Sequence, residues 1–267
     1  MSKNLENRIA IVTGASSGNG RAIALALADR GAAVLCSDLQ PTALAGGYEK
    51  DIDIPTHEAI IQSGGRAEYK QADASKSSDV EALVAACVEL YGRVDIMVNN
   101  AGVFTGLHSI LDETEDQYDF TMNVNAKGVW LGSKYAIKQM VTQSPLAGAG
   151  RGRIINIASI GGLVGLALEP SYCASKGAVV NLTRQLAVDF APELINVNAV
   201  CPGFLATAMV RPFLENKETK SSLEALTPWP RMGTPEDVAK AVCFLASDDA
   251  EWMTGSNLTV DGAFTAR

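Results

Sequence analysis

The segment R-I-A-I-V-T-G-A-S-S-G-N-G, from Arg8 to Gly20, runs from a β-branched apolar strand pattern directly into a glycine-rich turn. With a strand before it and a helical pattern after it, the turn places Gly14, Gly18 and Gly20 at a helix N-terminus. Backbone N–H groups and the positive end of the helix dipole can hold a pyrophosphate there. Asp38 stands eighteen residues beyond Gly20, at the end of the next strand pattern. A carboxylate in that place accepts hydrogen bonds from the ribose hydroxyls of NAD and repels the extra phosphate of NADP. Leu39 follows it instead of an arginine, and nothing basic within the glycine run would offset that phosphate, so NAD is the expected cofactor. The competing reading of Asp38 is a simple turn residue.

Outward from this unit, short apolar runs alternate with amphipathic helical stretches, the pattern of a doubly wound α/β fold with helices on both faces of a parallel sheet. Strands are predicted at 8–13, 33–37, 67–71, 94–98, 153–157, 195–200 and 257–260, and helices near 18–30, 77–91, 114–141, 172–190 and 235–247. The paired glycines and terminal proline of residues 41–55 predict an irregular loop before a short helix, and 143–152 reads as a surface connection. Residues 205–232 mix apolar and charged side chains and end in T-P-W-P-R-M-G, which suggests a mobile lid.

At 267 residues and 47% hydrophobic content, the chain is long enough to bury a sizeable core as a single domain spanning 1–267. Its net charge of −8 comes with no basic stretch, which argues against nucleic acid or an anionic membrane surface as partner. The opening M-S-K-N-L-E-N-R lacks the apolar core of a signal peptide and no apolar run would span a bilayer, so a cytoplasmic protein is expected. Cys36, Cys87, Cys173, Cys201 and Cys243 are dispersed, with no C-x-x-C pair, and read as small core residues. His57 and His108 form no metal motif, and no metal is expected.

The chemistry is concentrated in S-Y-C-A-S-K. Tyr172 and Lys176 are four residues apart and share one helix face, with Ser159 thirteen residues upstream of the tyrosine. Two unit charges about 4 Å apart at an effective dielectric of about 20 interact by roughly 4 kcal/mol. A lysine so placed is expected to lower the tyrosine pKa by about 3 units from about 10, giving a base near neutral pH. Either residue alone is more often surface decoration or a turn residue; their fixed spacing beside a nucleotide site reverses that reading.

Together with N-N-A-G at Asn99–Gly102, these motifs resemble the short-chain dehydrogenase/reductase family over nearly the whole chain. Further matching motifs are Asp73 in Q-A-D-A-S, Asn125 in V-N-A-K-G, Ser159 in I-N-I-A-S, Pro202 and Gly203 in C-P-G-F-L-A-T, and V-D-G near the end. The resemblance implies a Rossmann-like sheet of seven parallel strands and a homo-oligomer, with a tetramer favoured. It also implies that Tyr172 is the general acid/base and that Ser159 holds the substrate oxygen. Lys176 would tune the tyrosine and bind the nicotinamide ribose, and Asn125 would hold a water linking Lys176 to solvent. The cofactor residues it implies are Gly14, Ser16, Ser17, Gly18, Asn19 and Gly20 in the loop, then Asp38, Asp73, Ala74, Asn99, Ala101 and Gly102, and finally Tyr172, Lys176, Pro202, Gly203, Leu205 and Thr207. Asn99 has an equal claim to a purely structural role tying strands together, and Thr207 to a helix cap. Asn19 departs from the family, which carries isoleucine or leucine there.

The expected activity is NAD-dependent interconversion of a secondary alcohol and its ketone, with a small-molecule alcohol or ketone as the partner. An NADPH-dependent carbonyl reductase and a non-catalytic NAD-binding regulator are the alternatives; the intact Tyr172 and Lys176 count against the regulator. The loop between Ser159 and Tyr172, with Phe104, Phe204 and Met209, suggests an apolar pocket wall, and Glu169 is either a polar contact or a carboxylate facing water. Sugars, polyols, steroids, cyclic ketones and polyketide intermediates all stay open as substrates.

Overall fold

The computed structural model describes residues 4–48, 51–146 and 150–266. Seven parallel strands form one sheet in the order β3-β2-β1-β4-β5-β6-β7. They are β1 (Ile9–Thr13), β2 (Ala33–Asp38), β3 (Arg66–Gln71), β4 (Ile96–Asn99), β5 (Gly152–Ile157), β6 (Ile195–Pro202) and β7 (Asn257–Val260). The order reverses between β1 and β4, whose registers pair Ala10 with Ile96 and Val12 with Val98. A crevice opens beyond the carboxyl ends of the strands at such a switch point.

The central strands are buried on both faces, which is why they read as continuous apolar runs. Ala10, Val12, Val34, Ile96 and Ile155 pack to one side with α1 (Gly18–Asp29) and α9 (Pro235–Ala246). Ile11, Leu35, Met97 and Ile154 face the other, against α3 (Ser77–Tyr91) and α5 (Gly128–Met140). Four cysteines are buried as expected, whereas Cys173 is only half-buried.

The stretch expected as one helix near 114–141 is interrupted. α4 (Glu115–Met122), which opens with a capping box between Thr114 and Gln117, passes through a π-helical turn at Asn123–Lys127 into α5. Such a turn adds a residue to the helical register and is frequent at functional sites. It carries Asn125 fully into the interior. The helix α6 (Pro170–Phe190), which carries Tyr172 and Lys176, begins two residues before its predicted start, with proline pre-organised in the first turn.

The described part of 41–55 leads into the short α2 (Thr56–Gln62); residues 49–50 of that stretch and 147–149 of the connection at 143–152 lie outside the described residues. The segment 205–232 is not a plain loop: it holds α7 (Arg211–Glu215) and α8 (Lys217–Leu226). Its two ends meet, since Ala206 N donates to Gly233 O at 3.0 Å. No helix among the described residues is long and apolar enough to cross a membrane.

Candidate active site

At the end of β1 the chain turns through Gly14 with φ +64°, a left-handed conformation that favours glycine. A Cβ on Gly20 would lie 1.9 Å from the Gly14 carbonyl oxygen, so the helix start can approach the loop only without a side chain. Asn100 Nδ2 donates to the carbonyls of Thr13 (2.9 Å) and Gly14 (3.2 Å). Thr13 Oγ1 in turn accepts from the amides of Asn100 (3.0 Å) and Ala101 (3.1 Å). The glycine loop and the end of β4 are thereby locked together across the switch point.

Asp38 closes β2 half-buried, with Oδ2 accepting from Ser16 N at 3.0 Å and Oδ1 from Leu39 N at 2.8 Å. Its carboxylate is therefore fixed beside the glycine loop. Ser16 is spent on the same anchoring, its hydroxyl donating to Gln40 O at 2.6 Å.

A cavity of about 330 Å³ lies over the strand ends. Gly14, Ser17, Gly18, Asn19 and Gly20 line it from the loop, and Asp38, Asp73 and Ala74 from the next two strand ends. Ala101, Gly102, Ser159, Tyr172, Lys176, Pro202, Gly203, Leu205 and Thr207 complete the predicted set on its wall. Asn19 presents a buried Oδ1 without a hydrogen-bond partner among the described residues. Asp73 titrates below the ordinary carboxylate range: burial pushes it up, but Ser75 and Lys76 pull it down further.

Three predicted residues are not on that wall. Ser16 contributes its amide to Asp38 instead. Asn99 is 2% exposed and donates through Nδ2 to Ser133 Oγ (3.1 Å) and Asn156 Oδ1 (2.8 Å), so its side chain ties β4 to α5 and β5. Asn125 lies behind the cavity. Its Oδ1 accepts from Val103 N (2.8 Å), while Nδ2 donates to Val103 O (2.9 Å) and Ser175 Oγ (3.3 Å). Sequence reasoning missed Thr13, Leu44, Asn100 and Val103 on the wall. Asn100 was within reach: of two adjacent asparagines at a strand end, alternation sends one side chain inward and the other out, but the sequence alone does not say which.

The catalytic candidates converge. Ser159 follows β5, and its Oγ accepts from Gly161 N at 3.1 Å and hydrogen-bonds the Tyr172 phenol. Phe104 packs edge-on against Tyr172 at 5.6 Å between centroids. Lys176 Nζ donates to Ile157 O at 2.9 Å and lies 5.7 Å from the Tyr172 ring centroid. The expected depression of the tyrosine pKa is reversed here. Burial pushes Tyr172 up to about 12, the Ser159 hydrogen bond opposing it and the charges of Glu169 and Cys173 adding to it. Burial also draws Lys176 down to about 8. Loss of water dominates at both groups because each side chain must shed its hydration to be charged.

A cradle that a Cβ would fill, a fixed carboxylate beside it and a buried phenol at the far end fit a dinucleotide whose reactive ring meets Tyr172. A family model described as enoyl-(acyl carrier protein) reductase matches residues 14–265. The chain belongs to the short-chain dehydrogenase/reductase family. Among relatives in this family, it is 40% identical to the 2-(R)-hydroxypropyl-CoM dehydrogenase of Xanthobacter autotrophicus, over 97% of this chain and 99% of that one. It is 34% identical to the NAD-dependent glycerol dehydrogenase of Listeria innocua, over 99% and 96%. A crystal structure from Agrobacterium tumefaciens, described as a 2-deoxy-d-gluconate 3-dehydrogenase with bound NADP, superposes with a TM-score of 0.86, at 32% identity over 99% of each chain.

Proposed function

We propose that this protein is an NAD(H)-dependent oxidoreductase that interconverts a secondary alcohol and its ketone. The observation that carries the reading is the joint placement of Asp38, Ser159, Tyr172 and Lys176 on one cavity wall. The Asp38 carboxylate, held by the Ser16 amide, favours a ribose with free hydroxyls over one bearing a phosphate. Nicotinamide supplies the hydride acceptor or donor when bound, and its oxidised form brings positive charge to the site. Tyr172 gives a proton to the substrate oxygen in reduction and takes it back in oxidation, while Ser159 holds that oxygen and shares its hydrogen bond with the phenol.

Lys176 binds ribose hydroxyls beside the tyrosine. Asn125 acts from behind: a Cβ on Gly102 would meet Asn125 Oδ1 at 3.3 Å and Lys176 Nζ at 3.6 Å, so both atoms border one small space suited to a bridging water. The 205–232 segment serves as a lid that closes over bound substrate, and Thr207 at its root, on the cavity wall, holds the nicotinamide carboxamide. The exposed Phe120, Trp130 and Val188 on α4, α5 and α6 favour assembly of copies through these helices. The test is absorbance at the reduced-nicotinamide band with a panel of secondary alcohols and ketones and with both cofactors. Turnover with NAD(H) is expected; turnover with NADP(H) alone would favour the carbonyl-reductase reading, and cofactor binding without turnover a regulator.

A further inference from the structure

Tyr172 stands in the first turn of α6, the part of a helix least secured by the helix's own hydrogen bonds. The N-cap, Glu169, makes no side-chain cap bond, no acidic residue follows in the first turn, and Pro170 has no N–H to give. The first amide returned to the helix is that of Cys173, which donates to Glu169 O at 2.9 Å. A cap comes instead from a distant part of the chain. Ser171, 2% exposed, donates through its hydroxyl to Glu113 Oε1, although the two residues are 58 positions apart. A hydrogen bond to an ionised carboxylate is about twice as strong as one between neutral groups, and negative charge at a helix N-terminus is favoured by the dipole.

Glu113 is itself half-buried and held in place. Its amide donates to Ser109 O at 3.0 Å, and it directly precedes Thr114, which opens α4 with the capping box to Gln117. The same connection between β4 and α4 meets the approach to α6 a second time, where His108 N donates to Leu168 O at 2.8 Å. It also carries Phe104, edge-on against Tyr172. The connection thus grips the start of α6 at two points and touches the tyrosine at a third. On the other side of the tyrosine, Ser175 Oγ donates to Tyr172 O at 2.8 Å, so that side is secured from within the helix. The side toward the N-terminus depends on Glu113. Proton transfer needs hydrogen-bond geometry, and a displacement of about 1 Å can cost about 100-fold in rate.

Resting on the reading of Tyr172 as the proton carrier of an alcohol–ketone oxidoreductase, we infer that Glu113 is a positioning residue: by holding the Ser171 hydroxyl it caps α6 from outside and keeps the Tyr172 phenol on Ser159. Glu113 touches neither substrate nor cofactor. It acts on the rate of proton transfer through the first turn of α6, and substrate and cofactor affinity are set elsewhere.

The experiment measures kcat and KM with NAD for butan-2-ol and cyclohexanol, NADH affinity by fluorescence, and the ionisation of Tyr172 by tyrosinate absorbance, each protein being compared with its own Tyr172→Phe counterpart. Glu113→Ala should lower kcat by about tenfold or more while KM and NADH affinity stay within about twofold. Ser171→Ala should match it, and the double variant should be no worse than either alone, because both changes break one interaction. Glu113→Gln, which keeps an acceptor for the serine, should recover most of the rate. Burial holds the Tyr172 phenol up at about 12, so a loosened first turn that admits water should move its ionisation down toward the ordinary value of about 10 in Glu113→Ala. Should Glu113→Ala fail to fold, as judged by NADH binding, Ser171→Ala carries both comparisons. Variants that keep the wild-type kcat and the wild-type tyrosine titration overturn the inference, as does a loss of rate matched by an equal loss of NADH affinity and not recovered by Glu113→Gln. A wild type that turns over no secondary alcohol or ketone with either cofactor overturns the oxidoreductase reading instead, and the tyrosine titration then decides the role of Glu113 by itself.

Discussion

The Lys176 ammonium lies 5.7 Å from the centre of the Tyr172 ring while donating to the Ile157 carbonyl at 2.9 Å, so the pair is held together by β5 as much as by helical spacing. With both groups buried, the phenol is a weak acid in the free protein and only the Ser159 hydroxyl pulls its pKa down. Proton removal at neutral pH then calls for positive charge beyond that of Lys176.

In the cofactor-free protein, Tyr172 is expected to stay protonated until the pH approaches about 12. The difference in tyrosinate absorbance between wild type and Tyr172→Phe, followed as pH is raised, measures this directly. An extra tyrosinate appearing near neutral pH would mean that Lys176 governs the phenol after all.

Tyr172→Phe should lower turnover by about 100- to 10,000-fold, the usual span of general acid–base catalysis, while leaving NADH affinity nearly unchanged. Lys176→Ala should reduce both turnover and cofactor affinity, and Ser159→Ala mainly turnover. Steady-state kinetics alongside NADH fluorescence titration separate the three patterns. A Tyr172→Phe enzyme with most of its activity would move the proton transfer elsewhere.

NADH should bind at least about tenfold more tightly than NADPH, about 1.4 kcal/mol, because the extra phosphate meets the Asp38 carboxylate. Asp38→Ala combined with Leu39→Arg should narrow the gap. Equal affinities in the wild-type protein would remove the basis for the NAD assignment.

Glu169→Gln should alter the pH dependence of stability in a defined direction. The folded protein raises the Glu169 pKa from 4.5 to about 7, so between those values the folded state holds a proton that the unfolded state has released. That contribution is complete below about 4.5 and is lost as pH rises through about 7. Relative to wild type, Glu169→Gln should therefore gain thermal stability as the pH increases across this window, by a modest amount because the group is only half-buried. Parallel melting curves that keep a constant offset from pH 4 to pH 8 would count against the raised value.

Light scattering at micromolar concentration should return a multiple of the 28.1 kDa chain mass, as the exposed Phe120, Trp130 and Val188 on neighbouring helices suggest. A single species of chain mass would end the proposal of assembly through α4, α5 and α6.

Much of this architecture was legible in local pattern. Continuous apolar runs such as Ile9–Val12 announce strands buried on both faces, and the glycines from Gly14 to Gly20 mark the one place where backbone must pass close to backbone. The spacing of Tyr172 and Lys176 put both on one face of α6 before any contact was known. These features depend on neighbours a few residues apart, and short-range sterics determine them. Other features depend on which elements meet. Adjacent Asn99 and Asn100 look alike in sequence, yet β5 and α5 capture the first while Thr13 and Gly14 hold the second at the cavity. The π turn that turns Asn125 inward follows a helical pattern that gave no sign of a break, because its reward is a pair of bonds to Val103, twenty-two residues away. The tyrosine–lysine spacing predicted an acidified phenol, and the tertiary structure reversed it: how far water is excluded from two charges depends on everything packed around them, which no local pattern encodes.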